Sequence, residues 1–247
     1  MPMLQPTGFL EEIISANSYL LVGFASFALL ILTLVSLKTK KLTAVGKKIL
    51  FSSIVLVVLL PTVYMAYSTI YLNVISQSGG PVHWHADIEI WNCGSELELK
   101  DPTGLSNKIG TPTFHEHNDK RLHVEGVIVN EGDVSLGRFF TVIGGQLTST
   151  SLTVPTNTGA VTLANGNACP NGQAGEVQAF VYKTDTDGYY HQEKLISPEK
   201  YQLSPQAQVP AGDCIIVDYG PSMARTDKLC RSYKVAEQIG KLKGERN

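Results

Sequence analysis

LLVGFASFALLILTLVSL, residues 20–37, and ILFSSIVLVVLLPTVYMAYSTIYLNVI, residues 49–75, decide how this chain is organised. Neither run contains a charged side chain. Eighteen residues at about 1.5 Å of rise each approach the roughly 30 Å hydrocarbon core of a bilayer, and the second run exceeds it. A helix in a soluble core rarely stays uncharged for so long, because one of its faces meets water. The expectation is a transmembrane helical hairpin over residues 1–76, with helices at about 19–37 and 49–75. Pro61 falls inside the second run and suggests a kink or a shift in helix path. Tyr64, Tyr67 and Tyr71 after it fit an interfacial aromatic belt or ordinary helix packing equally well.

Lysine sets the expected orientation. KTKKLTAVGKK between the runs carries Lys38, Lys40, Lys41, Lys47 and Lys48. No Lys or Arg precedes it, and the next is Lys100. The positive-inside rule puts this loop in the cytoplasm, with both termini and the C-terminal domain extracytoplasmic in a multi-pass protein of the cell membrane. The first run has no basic segment before it and is too long for a cleavable signal peptide. The lipid bilayer is the first expected partner. Gly23, Ala25, Ser26 and Ala28 permit close helix contacts, so other membrane protein subunits are the second.

Of the 247 residues, 17% are charged, below the roughly 25% of soluble domains, with the deficit concentrated in the first 80. The net charge of -2 leaves no basic excess for nucleic acid. Cys93, Cys169, Cys214 and Cys230 all follow residue 90, and an even count confined to one region suits disulfides in an oxidising compartment. They allow three pairings that spacing does not distinguish. Cys93–Cys169 with Cys214–Cys230 is the preferred one, and a thiolate ligand at Cys93 is the lesser alternative.

Residues 77–81, QSGGP, read as a linker, and residues 82–225 as an extracytoplasmic β domain. VHWHADIEIW (82–91) alternates, and RLHVEGVIV (121–129) is rich in β-branched residues. SLTVPT, AVTLAN, EVQAFVYK, YYHQEKLI and DCIIVDYG follow between turn-forming segments. Many short strands at such spacing predict a mainly β fold, a β-sandwich or small barrel. Ser135 is placed to cap a short helix, LGRFFTVI, stopped by Gly144-Gly145. Residues 226–247 read as an amphipathic helix and tail. Leu229, Tyr233, Ala236, Ile239 and Leu242 would pack on the domain, in preference to lying on the membrane.

Five of the six histidines fall between residues 83 and 123. On a strand, residues two apart share a face. Trp84, Ala86, Ile88 and Ile90 then form a core face, and His83, His85, Asp87 and Glu89 the other. Imidazoles about 6.6 Å apart along one strand suffice to chelate one ion. In FHEHNDKRLHVE (114–125), Asn118-Asp119-Lys120 has turn chemistry. A hairpin reversing there sets His117 opposite His123 and His115 opposite Glu125, with Cβ atoms about 5 Å apart. The candidate metal ligands are His83, His85, His115, His117, His123, Glu125 and Glu89. Imidazole with carboxylate suits zinc, copper, iron or nickel, and copper or zinc is preferred outside the cytoplasm. The plain alternative is a solvated, histidine-rich or pH-sensitive surface. His191 stands apart and reads as a surface residue. No GxSxG, phosphate-binding glycine loop or nucleophile–His–acid pattern is present.

His83-x-His85-x-x-x-Glu89 resembles the core of the first cupin motif, and Pro210-Ala211-Gly212 is similar to the PxG of the second. That resemblance implies a β-barrel in which those three residues ligate a metal. Gly80 lies closer to His83 than the motif has it, and no histidine follows Gly212. HWHADIEIW, HEHN, LHVEG and SLGRFF together resemble a set of uncharacterised archaeal and bacterial membrane-anchored proteins with paired HxH motifs. This second likeness implies an extracytoplasmic β domain without naming a reaction. The leading expectation is a membrane-anchored copper or zinc binding protein, a carrier or accessory subunit. Its rivals are a cupin-like metalloenzyme with Glu89, Glu116 or Asp119 as acid–base group, and a structural subunit of a membrane complex.

Overall fold

The computed structural model describes residues 10–39, 41–203 and 212–246. Lys40 of the basic loop and Pro210-Ala211 of the PxG segment lie outside them. The chain divides into two compact units, Met1–Gly80 and Pro81–Asn247.

The first unit is a pair of helices, α1 (Leu10–Lys38) and α2 (Ala44–Ile75). Both contain segments long and apolar enough to cross a membrane, Glu12–Lys38 and Ala44–Ile75. Almost none of either segment is buried within the protein, so apolar side chains such as Phe24, Phe27, Leu56 and Leu60 face outward. Each helix starts earlier than its apolar run. Hydropathy marks the part suited to lipid, whereas a helix continues through polar turns that satisfy their backbone. Ser18 Oγ donates to the Ile14 carbonyl (2.9 Å), and Thr43 caps α2 by accepting from the Gly46 amide (3.1 Å). The second helix runs through Pro61, which shares a buried face with Ser68 and Leu72.

The second unit is mainly β. Its strands are β1 (Pro81–Asn92), β2 (Ser95–Glu96), β3 (Ile109–Gly110), β4 (Phe114–Glu116), β5 (Arg121–Val127), β6 (Gln146–Leu147), β7 (Ser151–Thr156), β8 (Gly159–Ala164), β9 (Glu176–Thr184), β10 (Tyr190–Lys194) and β11 (Asp213–Gly220). The larger sheet runs β10-β9-β11-β1-β5-β4-β3, with β2 paired to β1, and a smaller one runs β6-β7-β8. The larger sheet is mixed, because β1 and β11 are parallel while the other pairs are antiparallel. Pro81, assigned to the linker from sequence, is the first residue of β1, a position that tolerates proline.

Strand register sorts the side chains onto two faces. One face carries Ala86, Ile88 and Ile90 of β1, Leu122 and Val124 of β5, Phe114 of β4, and Ile215 and Val217 of β11, all buried. Helix α3 (Leu136–Val142), capped by Ser135 Oγ accepting from the Arg138 amide (3.3 Å), contributes Phe139, whose ring lies 5.3 Å from that of Phe114. The opposite face is covered over β9, β10 and β11. There Phe180, Tyr182, Tyr190, Cys214 and Ile216 pack with Tyr233 and Ala236 of helix α4 (Arg231–Gln238) and with Leu242 beyond it. Covering on both faces explains why all eight positions of β11 are buried.

The C-terminal helix is shorter than the residue pattern suggested. It stops at Gln238, Gly240 takes a left-handed φ of 73°, and Ile239 stays 61% exposed. Disulfides join Cys93 to Cys169 and Cys214 to Cys230. The second ties the start of α4 to β11, and the Arg231 amide there donates to Glu89 Oε1 (2.9 Å).

Candidate metal centre

The histidines lie on the face that α4 covers, but over β1, β5 and β4, beyond the helix's reach. Antiparallel pairing sets His83 opposite Glu125, His85 opposite His123, and His115 opposite His123. His123 on the middle strand is therefore flanked on both sides. Its ring centroid lies 4.6 Å from that of His85, 4.8 Å from His117 and 5.5 Å from His115. His83 is 4.5 Å from His85, and His117 is 4.7 Å from His115.

This pairing corrects the hairpin expected from sequence. His115, not His117, faces His123, and Glu125 faces His83 instead of His115. The shift is two residues, so side-chain parity is unchanged. Its cause is local. Asn118 and Lys120 both take left-handed φ values (65° and 60°), and Glu116 Oε1 accepts from the amides of Asp119 (2.6 Å) and Lys120 (3.0 Å). The turn thus spans residues 117–120 and leaves His117 just outside β4, its ring still against the cluster.

Two sets of three imidazoles have ring nitrogens within 4.8 Å of one another: His83, His85 and His123, and His115, His117 and His123. Each set could hold one ion with a further coordination position open. Surrounding groups fix several rings. His117 Nδ1 lies 2.6 Å from the Asn107 carbonyl, which needs a proton on Nδ1 and leaves Nε2 as a lone pair. His123 Nε2 lies 3.2 Å from Asp119 Oδ2, and His83 Nε2 3.3 Å from Glu125 Oε1. His115 is 1% exposed, and its Nδ1 has no hydrogen-bond partner. A buried ring nitrogen without a partner is costly, and a cation is one group that satisfies it.

Burial disfavours the charged form of three of the rings, His85, His115 and His123. Burial, followed by the nearby His123, His83 and Arg121, lowers the His85 pKa to about 4. Burial and then Lys108 lower that of His115 to about 4. Burial also lowers His123, opposed by the Asp119 carboxylate. Neutral imidazole is the metal-binding form, so at neutral pH little proton competition remains.

Of the residues singled out from sequence, the five histidines come together, and Glu125 sits at the outer rim against His83. Glu89 does not join them. It is buried at the other end of β1, accepting from the Arg231 amide. Asp87, between the two, is bound by Arg121 Nε (2.8 Å) and by the Ser232 hydroxyl. His191 is exposed on β10. Two participants were not anticipated. Asn107 acts through its carbonyl, which no side-chain pattern signals, and Gly110 lets β3 lie close to β4. A Cβ at Gly110 would stand 2.5 Å from the Phe114 carbonyl oxygen, at a φ of 105°.

No protein-family model, curated protein or solved structure matches this chain.

Proposed function

We propose that this chain is a membrane-anchored, extracytoplasmic transition-metal binding protein, a carrier or accessory subunit for copper or zinc. The observation that supports it most is the gathering of four further imidazoles around His123, with a partnerless, buried Nδ1 at His115. A solvated histidine surface would leave that nitrogen in water. The lysine-rich loop between the helices and the two disulfides favour a cytoplasmic loop and an outside domain.

The test is metal analysis of the full chain in mild detergent, purified without a histidine tag. The comparison is a variant carrying His115→Ala, His117→Ala and His123→Ala. About one equivalent of copper or zinc in the wild type, lost in the variant, supports the reading. A folded wild type that takes up neither ion under any loading condition rejects it and favours a structural subunit. Topology has its own check. A cysteine placed at Thr39 should react with an impermeant maleimide only after the membrane is opened from the cytoplasmic side.

Three-imidazole seats leave a coordination position open, which favours one second reading: a metalloenzyme with Asp119, 3.2 Å from His123, as its nearby carboxylate. Metal-dependent turnover of a hydrolysable ester, lost in Asp119→Asn even when metal is added to saturation of the variant, would separate it from a carrier.

A further inference from the structure

The two histidine triads share a member, and that sharing constrains how they fill. We infer that His83 with His85, and His115 with His117, are alternative seats for a single ion that stays bound to His123 as it moves between them. This inference rests on the metal-binding reading above.

His123 Nε2 faces Asp119 Oδ2 at 3.2 Å, and a proton held in that contact leaves Nδ1 as the ring's one free lone pair. One lone pair ligates one ion, so the two triads are not filled together through it. The rings form a continuous path, His83 to His85 to His123 to His117 to His115, in steps of 4.5, 4.6, 4.8 and 4.7 Å. The ends of this path differ. The His83 side chain is 61% exposed, whereas His115 is 1% exposed with an unsatisfied ring nitrogen. The outer pair therefore receives the ion and the inner pair retains it. In the transfer, bonds from the metal to the His83 and His85 nitrogens break as bonds to His115 and His117 form. The bond to His123 persists, and the oxidation state does not change. The ion class is a divalent cation that favours imidazole, Cu(II) or Zn(II).

The test is titration of the full chain in detergent with Cu(II), with stoichiometry from metal analysis, affinity from chelator competition and loading rates from stopped flow. The wild type should saturate at one equivalent. H83A/H85A and H115A/H117A should each still take one, weakened about tenfold or more. H83A/H85A should also load more slowly, and H115A/H117A release faster. H123A should lose about a hundredfold or more, because it serves both seats. The milder H123Q and H117Q, checked by circular dichroism, guard against a folding defect. Two equivalents in the wild type, with each pair variant keeping one at full affinity, would overturn the inference and leave metal binding standing. So would one pair variant abolishing binding while the other changes nothing. A wild type that binds no Cu(II) overturns both the inference and the reading beneath it.

Discussion

His115 and His123 stand directly opposite each other on β4 and β5, their rings parallel within 4° and 5.5 Å apart. One ring is sealed from solvent and the other lies at the centre of the cluster. Neighbouring antiparallel strands impose this face-to-face placement, and three strands bearing histidine on one face bring five imidazoles together.

Asp119 is the carboxylate that orients the central ring. Asp119→Asn should keep the fold, because the Glu116 carboxylate, which accepts the Asp119 and Lys120 amides, is untouched. It should weaken Cu(II) or Zn(II) binding by about 10- to 100-fold, read by chelator competition, as loss of ligand-orienting carboxylates does. Unchanged affinity would show that His123 needs no orientation.

The protein should be acid-sensitive. His85 and His115, with folded pKa values of about 4, and His123, also lowered, titrate near 6.5 when unfolded. The unfolded chain therefore binds more protons between about pH 6.5 and 4, and stability falls as pH drops through that window. Above it the full contribution is present. Thermal unfolding followed at pH 7.5, 6 and 5 should show a declining midpoint, flatter in H85N/H115N. A midpoint independent of pH over this range in the wild type would mean these rings are not held neutral by the fold.

Gly110→Ala should disturb the cluster from outside it. The added Cβ meets the Phe114 carbonyl at 2.5 Å, at a φ that other residues adopt with strain. The expected loss is about 1–3 kcal/mol of stability by chemical denaturation, with weaker metal binding because β3 borders His115. Gly94→Ala, where a Cβ would meet nothing within 4 Å but φ is also positive, reports the strain alone.

Removing the Cys214–Cys230 link, which closes 16 residues, should cost about 3 kcal/mol on loop-entropy grounds. C214A/C230A should also speed hydrogen exchange at the Arg231 amide, now held by Glu89. The Cys93–Cys169 link closes 76 residues, and its loss should cost more, about 4 kcal/mol. Equal effects of the two would argue that the unfolded chain keeps structure around one of them.

Much of this molecule is local enough to read from residue order. The length of two uncharged runs sets helices long enough to cross a membrane, because the bilayer thickness fixes the residue count. The two-residue period of a strand sends Ala86, Ile88 and Ile90 into a core and leaves His83 and His85 on the other side. Ser135 caps its helix because the orphan amides of a first turn need an acceptor.

What the sequence did not contain was set by contacts between distant segments. The register of β4 on β5 depends on two left-handed residues and on the Glu116 carboxylate turning back to its own turn, so His115 and not His117 meets His123. The covering of Asp87 and Glu89 by α4 depends on a helix more than 140 residues later, and it separates Glu89 from the histidines with which it alternates along the chain. The carbonyl that orients His117 belongs to Asn107, where any residue supplies the same atom. Periodicity fixes which face a side chain takes, since that follows from backbone geometry within a few residues. Which side chains meet on that face follows from register and cover, and only the folded chain determines those.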